Sequence, residues 1–347
     1  MEYSYTVSGA LPPPDMSNDT RRAVSRLGIG LFVYGVSAAV IVFIVGAALT
    51  LVMGDAAYAE LSESVYYIWG VQVLSMYVIA LPIFFLITRG LPSQKGESSG
   101  MSLGEFTAVF LISEAVMTVG SLISSYIVAI ISALLGKEVT DATSELVMKT
   151  PVWIVIIIAV LIGPLVEELI FRRGLIPVLR IYGDRFAIIV SAIAFGIFHG
   201  NFSQLVYATG LGLILGYVYV RTGGMKHCVA LHVLLNFFGT VPTLMLGDSV
   251  NILTDLTDET LLPEGEALSK FMLDAIKIMD VALLQYGLMI GGIIMLFYAV
   301  RHRLIKIPDG AQIPISGERL VSASLKNAGA ILFIIFCLVQ MILSIFM

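Results

Sequence analysis

Long blocks of apolar residues are the feature that most limits how this chain folds. A helix needs about 20 residues to cross the ~30 Å hydrocarbon core of a bilayer. The sequence has nine blocks near this length, at 27–53, 66–87, 106–135, 152–171, 186–199, 203–220, 228–246, 281–300 and 328–347. Because 58% of the residues are hydrophobic and 13% are charged, one water-soluble core is excluded. We therefore predict an all-α polytopic transmembrane helix bundle with about eight or nine spans, of which the fifth is short.

The distribution of basic residues predicts the orientation of this bundle. With a cytoplasmic N-terminus and nine alternating spans, sixteen of the 20 Lys and Arg residues face the cytoplasm. Only Lys137, Lys149, Lys270 and Lys277 face the other side, which follows the positive-inside bias. We expect an N-in protein with a cytoplasmic tail at 1–26, N-terminal transmembrane helices at 27–149, a central core at 150–245, and an external loop and C-terminal transmembrane helices at 246–347.

The segments between the blocks are too short to form soluble domains, so function is expected in the membrane or at its surface. The external loop at 248–279 contains an amphipathic stretch, which is either an interfacial helix or a cap over a cavity. The sequence has no basic cluster interleaved with aromatic residues, so we expect no nucleic-acid partner. Cys228 and Cys337 lie inside apolar blocks and are expected to be small buried residues.

Ionisable side chains inside the apolar blocks are the candidates for function, because each costs about 2.5–3.5 kcal/mol at the centre of a membrane helix. The fourth block ends in the segment Glu167-Glu168-x-x-x-Arg172. Glu168 and Arg172 are four residues apart, so they face the same way on a helix and favour an ion pair. Glu167 is turned ~100° away, and an unpaired, desolvated carboxylate is suited to general-base chemistry. Taken alone, the segment is equally typical of a charged cluster at the membrane surface.

Two later blocks contain histidine. His199 shares a helical face with Phe195, and His232 shares one with Asn236. A single histidine or asparagine in a membrane helix is often a hydrogen-bonded packing residue. Together with the two glutamates, however, these side chains supply the water activation, proton transfer and oxyanion donors that peptide hydrolysis needs. Such a set works with a bound Zn²⁺ or without one.

These pieces resemble the ordered signature of a known family. They read Glu167-Glu168-x-x-x-Arg172, Phe195-x-x-x-His199 and His232-x-x-x-Asn236. This order and spacing are similar to those of the CAAX-protease and bacteriocin-processing family, intramembrane endopeptidases related to the CAAX prenyl protease. The resemblance covers about 150–245 and implies a CAAX-protease-like catalytic core in an integral protein of a bacterial cell membrane.

The resemblance also implies a role for each motif residue. Glu167 and His199 would activate the water, and His232 and Asn236 would bind it or stabilise the oxyanion. The remaining motif residues, which would hold the site in shape, are Glu168, Arg172 and Phe195. A metal form of the same site would use Glu167, His199 and His232 as three ligands of Zn²⁺ and leave the fourth position to water.

The expected function is therefore an intramembrane endopeptidase that cleaves a peptide or a protein tail near or within the bilayer. Whether the substrate is prenylated stays open at this point. One alternative is a non-catalytic immunity or scaffold protein that uses the same polar cavity for binding. A transporter is a third, although the sequence shows no paired halves with interrupted helices.

The predicted topology does not bring the candidate residues together. It places Glu167 and His232 in the cytoplasmic half of the bilayer, whereas His199 falls late in an outward-running span. Convergence requires either that residues 176–186 dip into the membrane or that the fifth helix is displaced inward.

Overall fold

The computed structural model describes residues 17–96, 99–246, 249, 266–307 and 317–346. Twelve helices occupy these ranges. They are α1 (Ser17–Met53), α2 (Asp55–Ser62), α3 (Val65–Thr88), α4 (Leu103–Leu135), α5 (Ala142–Lys149), α6 (Val152–Tyr182), α7 (Asp184–Phe198), α8 (Phe202–Thr222), α9 (Met225–Leu246), α10 (Glu266–Arg301), α11 (Gly317–Leu325) and α12 (Ala328–Leu343). Since the described ranges contain no strand, the predicted all-α class is confirmed.

Seven of these helices are long and apolar enough to cross a bilayer, and an eighth span results if α11 and α12, which meet at 64°, form one bent unit. Their outer surfaces carry large exposed apolar side chains such as Phe43 and Leu51, which are 75% and 87% exposed. Surfaces of this kind are suited to lipid. The polytopic helix bundle is therefore confirmed, while the N-in orientation stays a prediction.

Helix α6 lies at the centre of the bundle. Half of its most apolar stretch (50%) is buried, compared with 6% for α1 and α10. The prediction that the fourth span ends at Phe171 is wrong, because the helix continues through two π-helical segments, Ile156–Ile162 and Leu169–Leu175, to Tyr182. Glu167 and Glu168 consequently lie in the middle of α6 instead of at its end.

A tight turn after α6 starts the short helix α7. Gly183 has a φ of 127°, a conformation that side chains with a Cβ rarely adopt. Across this turn the Nε atom of buried Arg180 donates to Oδ1 of buried Asp184 at 2.6 Å. The predicted fifth span is thus the 15-residue helix α7, which runs back along α6 and ends in its middle region.

Helices α7 and α8 approach each other closely. A Cβ atom built on Gly212 would lie 2.8 Å from Cα of Ala192, and one on Gly196 would lie 1.9 Å from Oγ1 of Thr209. Only glycine permits these contacts. Gly212 and Gly216, four residues apart on α8, both face α7 and so pack within the chain. This packing places the end of α7 against the start of α8.

One end of the bundle is rich in arginine. Arg26 at the start of α1 donates to the Ile87 and Arg89 carbonyl oxygens at the end of α3. Arg221 at the end of α8 pairs with Glu105 at the start of α4 at 2.5 Å. We call this the arginine end, and the helix termini that face away from it form the opposite end.

Two predicted boundaries differ from the structure. Helix α1 begins at Ser17, ten residues before the predicted first span, and residues 1–16 of the predicted tail lie outside the described residues. Most of the predicted external loop at 248–279 also lies outside them. The part from Glu266 onward is the beginning of α10, so the amphipathic stretch extends a membrane helix instead of forming a separate one. Both free cysteines are buried, as predicted.

Candidate functional site

A buried ion pair lies at the middle of α6. The Nε atom of Arg172 is 3.1 Å from Oε2 of Glu168, and both side chains are completely buried. This contact is electrostatic, since neither atom has a hydrogen bond to any of the described residues. The guanidinium also lies over the Phe195 ring, 5.0 Å from its centroid, which adds a cation–π contact. The structure thus brings Glu168 and Arg172 together as their spacing predicts.

His232 joins α9 to both glutamates. Its Nδ1 atom is 3.0 Å from Oε1 of Glu168, and its Nε2 atom is 3.6 Å from Oε2 of Glu167. A carboxylate only accepts, so Nδ1 carries the proton that is donated to Glu168. In the neutral ring Nε2 is then an acceptor that faces Glu167. Glu168 therefore fixes both the orientation and the tautomer of His232.

His199 is held in a similar way at the end of α7. Its Nδ1 atom donates to the Phe195 carbonyl oxygen at 2.8 Å, so Nε2 is again the acceptor of the neutral ring. Helix α7 ends here because Gly200 adopts a φ of 67°. The next helix starts at once, since the Asn201 side chain accepts from the Gln204 backbone N–H at 2.8 Å. His199 is half-buried at this junction.

Phe195 lies between the two imidazoles. Its ring centroid is 4.9 Å from that of His199 and 5.9 Å from that of His232, and both contacts are edge-to-face. Phe171 supports the ring from α6 at 5.1 Å. Within the described part of the chain, no nitrogen of His199 comes within 4.0 Å of a carboxylate oxygen of either motif glutamate. The connection between His199 and the Glu167–Glu168–His232 cluster runs through this phenyl ring.

Asn236 meets α6 two turns before the glutamates. Its Nδ2 atom donates to the Ala159 carbonyl oxygen at 3.0 Å, and Ala159 lies in the first π-helical segment of α6. Ala159, Gly163 and Glu167 are four residues apart and share one helical face. Asn236 and His232 therefore line the same α6 face, and the catalytic role of Asn236 stays a prediction beside its interhelical bond.

Tyrosines near Glu167 were missed in the sequence. Tyr34 on α1 is fully buried, and its hydroxyl has no hydrogen-bond partner among the described residues. The Tyr77 hydroxyl lies 3.6 Å from the position of a Cβ built on Gly163, one turn before Glu167. Both tyrosines are within electrostatic range of the Glu167 carboxylate. Nothing in their spacing distinguishes them from ordinary apolar core residues.

Glu114 was also missed, although the sequence does contain a signal for it. This carboxylate interrupts the third apolar block and is 8% exposed on α4. Its Oε1 atom has no hydrogen bond to any residue that the structure describes. It is not among the groups that contact the two imidazoles, so the chemistry of the motif residues does not account for it.

The three predicted zinc ligands do not lie together in the structure. Across the described ranges, no three or more His, Cys, Asp and Glu side chains form a group that could hold a metal ion. Glu167 and His232 are neighbours, whereas His199 is separated from them by the Phe195 ring. The three side chains as placed do not fit a closed ligand set, and the zinc hypothesis stays a prediction.

Comparison with known proteins agrees with the motifs. Residues 149–238 match the family model described as type II CAAX prenyl endopeptidase Rce1-like. The similarity to this family therefore covers the central part of the chain. The resemblance noted from the three motifs is confirmed, and the matched range contains every motif residue.

Two curated relatives extend the similarity. The chain is 25% identical over 182 residues to a Bacillus subtilis protein named as membrane peptidase YdiL, which covers 51% of this chain and 72% of the relative. It is 28% identical over 130 residues to the membrane-embedded CAAX protease MroQ of Staphylococcus aureus, covering 35% of this chain and 52% of that protein. No solved structure matches with significance. The match to this family model, the bacterial relatives and the apolar helices together indicate an integral membrane protein that is similar to membrane peptidases.

Proposed function

We propose that this chain is an intramembrane endopeptidase that hydrolyses a peptide bond near or within the bilayer. One observation carries the proposal: His232 is anchored at Nδ1 by Glu168, presents Nε2 to Glu167 at 3.6 Å, and shares the Phe195 ring with His199. Two oriented imidazole acceptors and a partly exposed carboxylate are thereby grouped inside a membrane bundle. This set is suited to proton transfer during hydrolysis.

Glu167 is the proposed general base. Its side chain is 31% exposed, whereas Glu168 is completely buried and occupied by Arg172 and His232. Glu167 takes a proton from the attacking water while the water oxygen adds to the peptide carbonyl carbon. His199, through its free Nε2, assists this water. When the C–N bond breaks, the proton passes to the leaving amine, and the products are a carboxylate and an amine.

The oxyanion that forms on the carbonyl carbon needs hydrogen-bond donors. We assign this task to the Asn236 amide on α9, together with the hydroxyl groups of Tyr34 and Tyr77. His232, whose Nε2 atom is an acceptor, would instead help to bind the attacking water. Tyr34 is suited to it because its buried hydroxyl has no hydrogen-bond partner among the described residues, so it is available to a new acceptor at little cost. The Tyr77 hydroxyl lies 3.6 Å from a Cβ built on Gly163, one turn before Glu167. Glu168 and Arg172 position His232, and Phe195 positions both imidazoles.

A zinc-dependent form remains the second version of this proposal. Zn²⁺ bound by Glu167, His199 and His232 would lower the pKa of its water and polarise the carbonyl. Because the three side chains as placed do not form a ligand group, no step above is assigned to a metal. The relatives are named as peptidases, which does not favour the non-catalytic alternative.

The test is Glu167→Gln in the full-length protein reconstituted into vesicles, with a library of quenched fluorescent peptides as substrate. We expect cleavage to fall by about 10²–10⁴-fold, the usual contribution of a general base, while the protein stays folded. Glu145→Gln is the matched control, because among the described residues Glu145 pairs only with exposed Lys149 on α5. A folded Glu167→Gln protein with full activity would refute the assignment, and a wild-type protein that cleaves no peptide would refute the function.

A further inference from the structure

A cavity of ≈ 660 Å³ opens at the end of the bundle opposite the arginine end. It lies between the second half of α1, α2, the first half of α3, the α7–α8 junction and the second half of α12. Its size is within the range of about 300–1,000 Å³ that ligand sites show. Of the motif residues, His199 alone lines it, and the proposed chemistry above does not use the remainder of this space.

The floor of the cavity lies next to the residues around Glu167. Ala38 and Met76 line the cavity, Tyr34 is one helical turn before Ala38, and Tyr77 follows Met76. The Tyr77 hydroxyl reaches the Gly163 position on α6, one turn from Glu167. Helix α3 is π-helical over this stretch, at Val73–Ala80, a distortion that is frequent at functional sites. Tyr34 and Tyr77 therefore connect the lining of the cavity with the part of α6 that contains Glu167.

The chemistry of the lining indicates what the cavity takes. The walls combine apolar side chains with uncharged hydrogen-bonding ones such as Tyr58, Ser62, Gln72, Ser75, Asn201 and Gln340. Among the lining residues that the structure describes there is no Lys or Arg, and Asp141 is the one acidic side chain. Both carboxylate oxygens of Asp141 already accept hydrogen bonds, from the Thr143 N–H and the Ser144 hydroxyl. The cavity thus offers uncharged donors and acceptors but no free counter-charge.

We propose that this cavity is the substrate chamber, and that it takes an extended, uncharged and unprenylated peptide segment from the membrane face opposite the arginine end. This inference rests on the proposed endopeptidase function and names its substrate class. The Ser62 and Ser75 hydroxyls donate within their own helices, whereas the Gln72 and Gln340 amide groups have no hydrogen-bond partner among the described residues. A peptide backbone can pair with these two amides, whereas an isoprenoid chain would leave them without partners. The peptide then meets His199 and the two tyrosine hydroxyls before it reaches Glu167.

The experiment uses the full-length protein in nanodiscs and a neutral peptide of Ala, Ser, Gln and Leu that carries one benzophenone group. After illumination, mass spectrometry locates the adducts. We expect them on the cavity segments of α2, α3 and α12. Ala39→Trp and Ser62→Trp, which fill the cavity from two sides, should each reduce the adducts by about tenfold or more. Ala48→Trp is the matched control, since Ala48 lies on the same helix as Ala39 but is exposed and does not line the cavity.

Adducts elsewhere on the wild-type protein would overturn the proposal, as would undiminished adducts in both folded tryptophan variants. A farnesylated version of the probe that displaces the neutral peptide from these segments would overturn the substrate class. Photo-crosslinking requires no catalysis, so its outcome is independent of the Glu167→Gln test. Absent cleavage refutes the endopeptidase function, whereas misplaced adducts refute only the chamber.

Discussion

Glu168→Ala tests the buried centre of the site most directly. The substitution leaves the Arg172 guanidinium completely buried and without the counter-charge that now lies 3.1 Å away. Breaking a buried pair in this way costs about 3–5 kcal/mol. It also removes the acceptor that holds Nδ1 of His232 at 3.0 Å. We expect the free energy of unfolding to fall by at least about 3 kcal/mol, and peptide cleavage to be lost with it.

The assay is denaturant or thermal unfolding of the purified protein in mild detergent, beside peptide cleavage at a temperature where the variant is still folded. Glu145→Ala is the control, because the Glu145–Lys149 pair at 3.5 Å has side chains that are 49% and 72% exposed. Losing an exposed pair costs about 0–1 kcal/mol. An unfolding midpoint for Glu168→Ala equal to that of Glu145→Ala would refute the argument.

A double variant separates the two roles of Glu168. In Glu168→Leu/Arg172→Met both charges are replaced by apolar groups of similar volume, a change that is often neutral or stabilising in buried pairs. Stability should recover relative to Glu168→Ala. Activity should stay low, because His232 still lacks its acceptor. If activity recovers together with stability, Glu168 does not position His232.

Three further predictions concern other residues of the bundle. Tyr77→Phe removes one hydroxyl and should lower kcat by about tenfold or more with little change in KM, because an oxyanion donor acts mainly in the transition state. An unchanged kcat would exclude Tyr77 as an oxyanion donor. Glu114→Leu should raise the free energy of unfolding by about 1–3 kcal/mol, because Oε1 of Glu114 is buried without a hydrogen-bond partner among the described residues. A loss of stability would instead reveal a partner for this carboxylate. If Glu167, His199 and His232 bind zinc, elemental analysis should find it in stoichiometric amount, and a membrane-permeant chelator should remove the zinc and the activity together. Full activity in a metal-free preparation would rule out the zinc-dependent form.

Local helical geometry explains which parts of the site were predictable. Glu168 and Arg172 meet because residues four apart face the same way on a helix, and the Phe195–His199 contact follows from the same spacing. The membrane class was equally accessible, since it depends on the length of the apolar blocks and the thickness of the bilayer. Glu114 should have been recognised on the same grounds, because it interrupts an apolar block.

Contacts between distant segments were decided only by the tertiary structure. Glu168 and His232 are 64 residues apart, and the continuation of α6 to Tyr182 places the glutamates at the depth that α7 reaches. The convergence that the simple topology lacked follows from this longer helix and the short α7. Tyr34 and Tyr77 came to the site through packing alone. The sequence could not specify such neighbours, because helix faces that contact lipid and those that contact other helices are both apolar, and hydropathy does not distinguish between them.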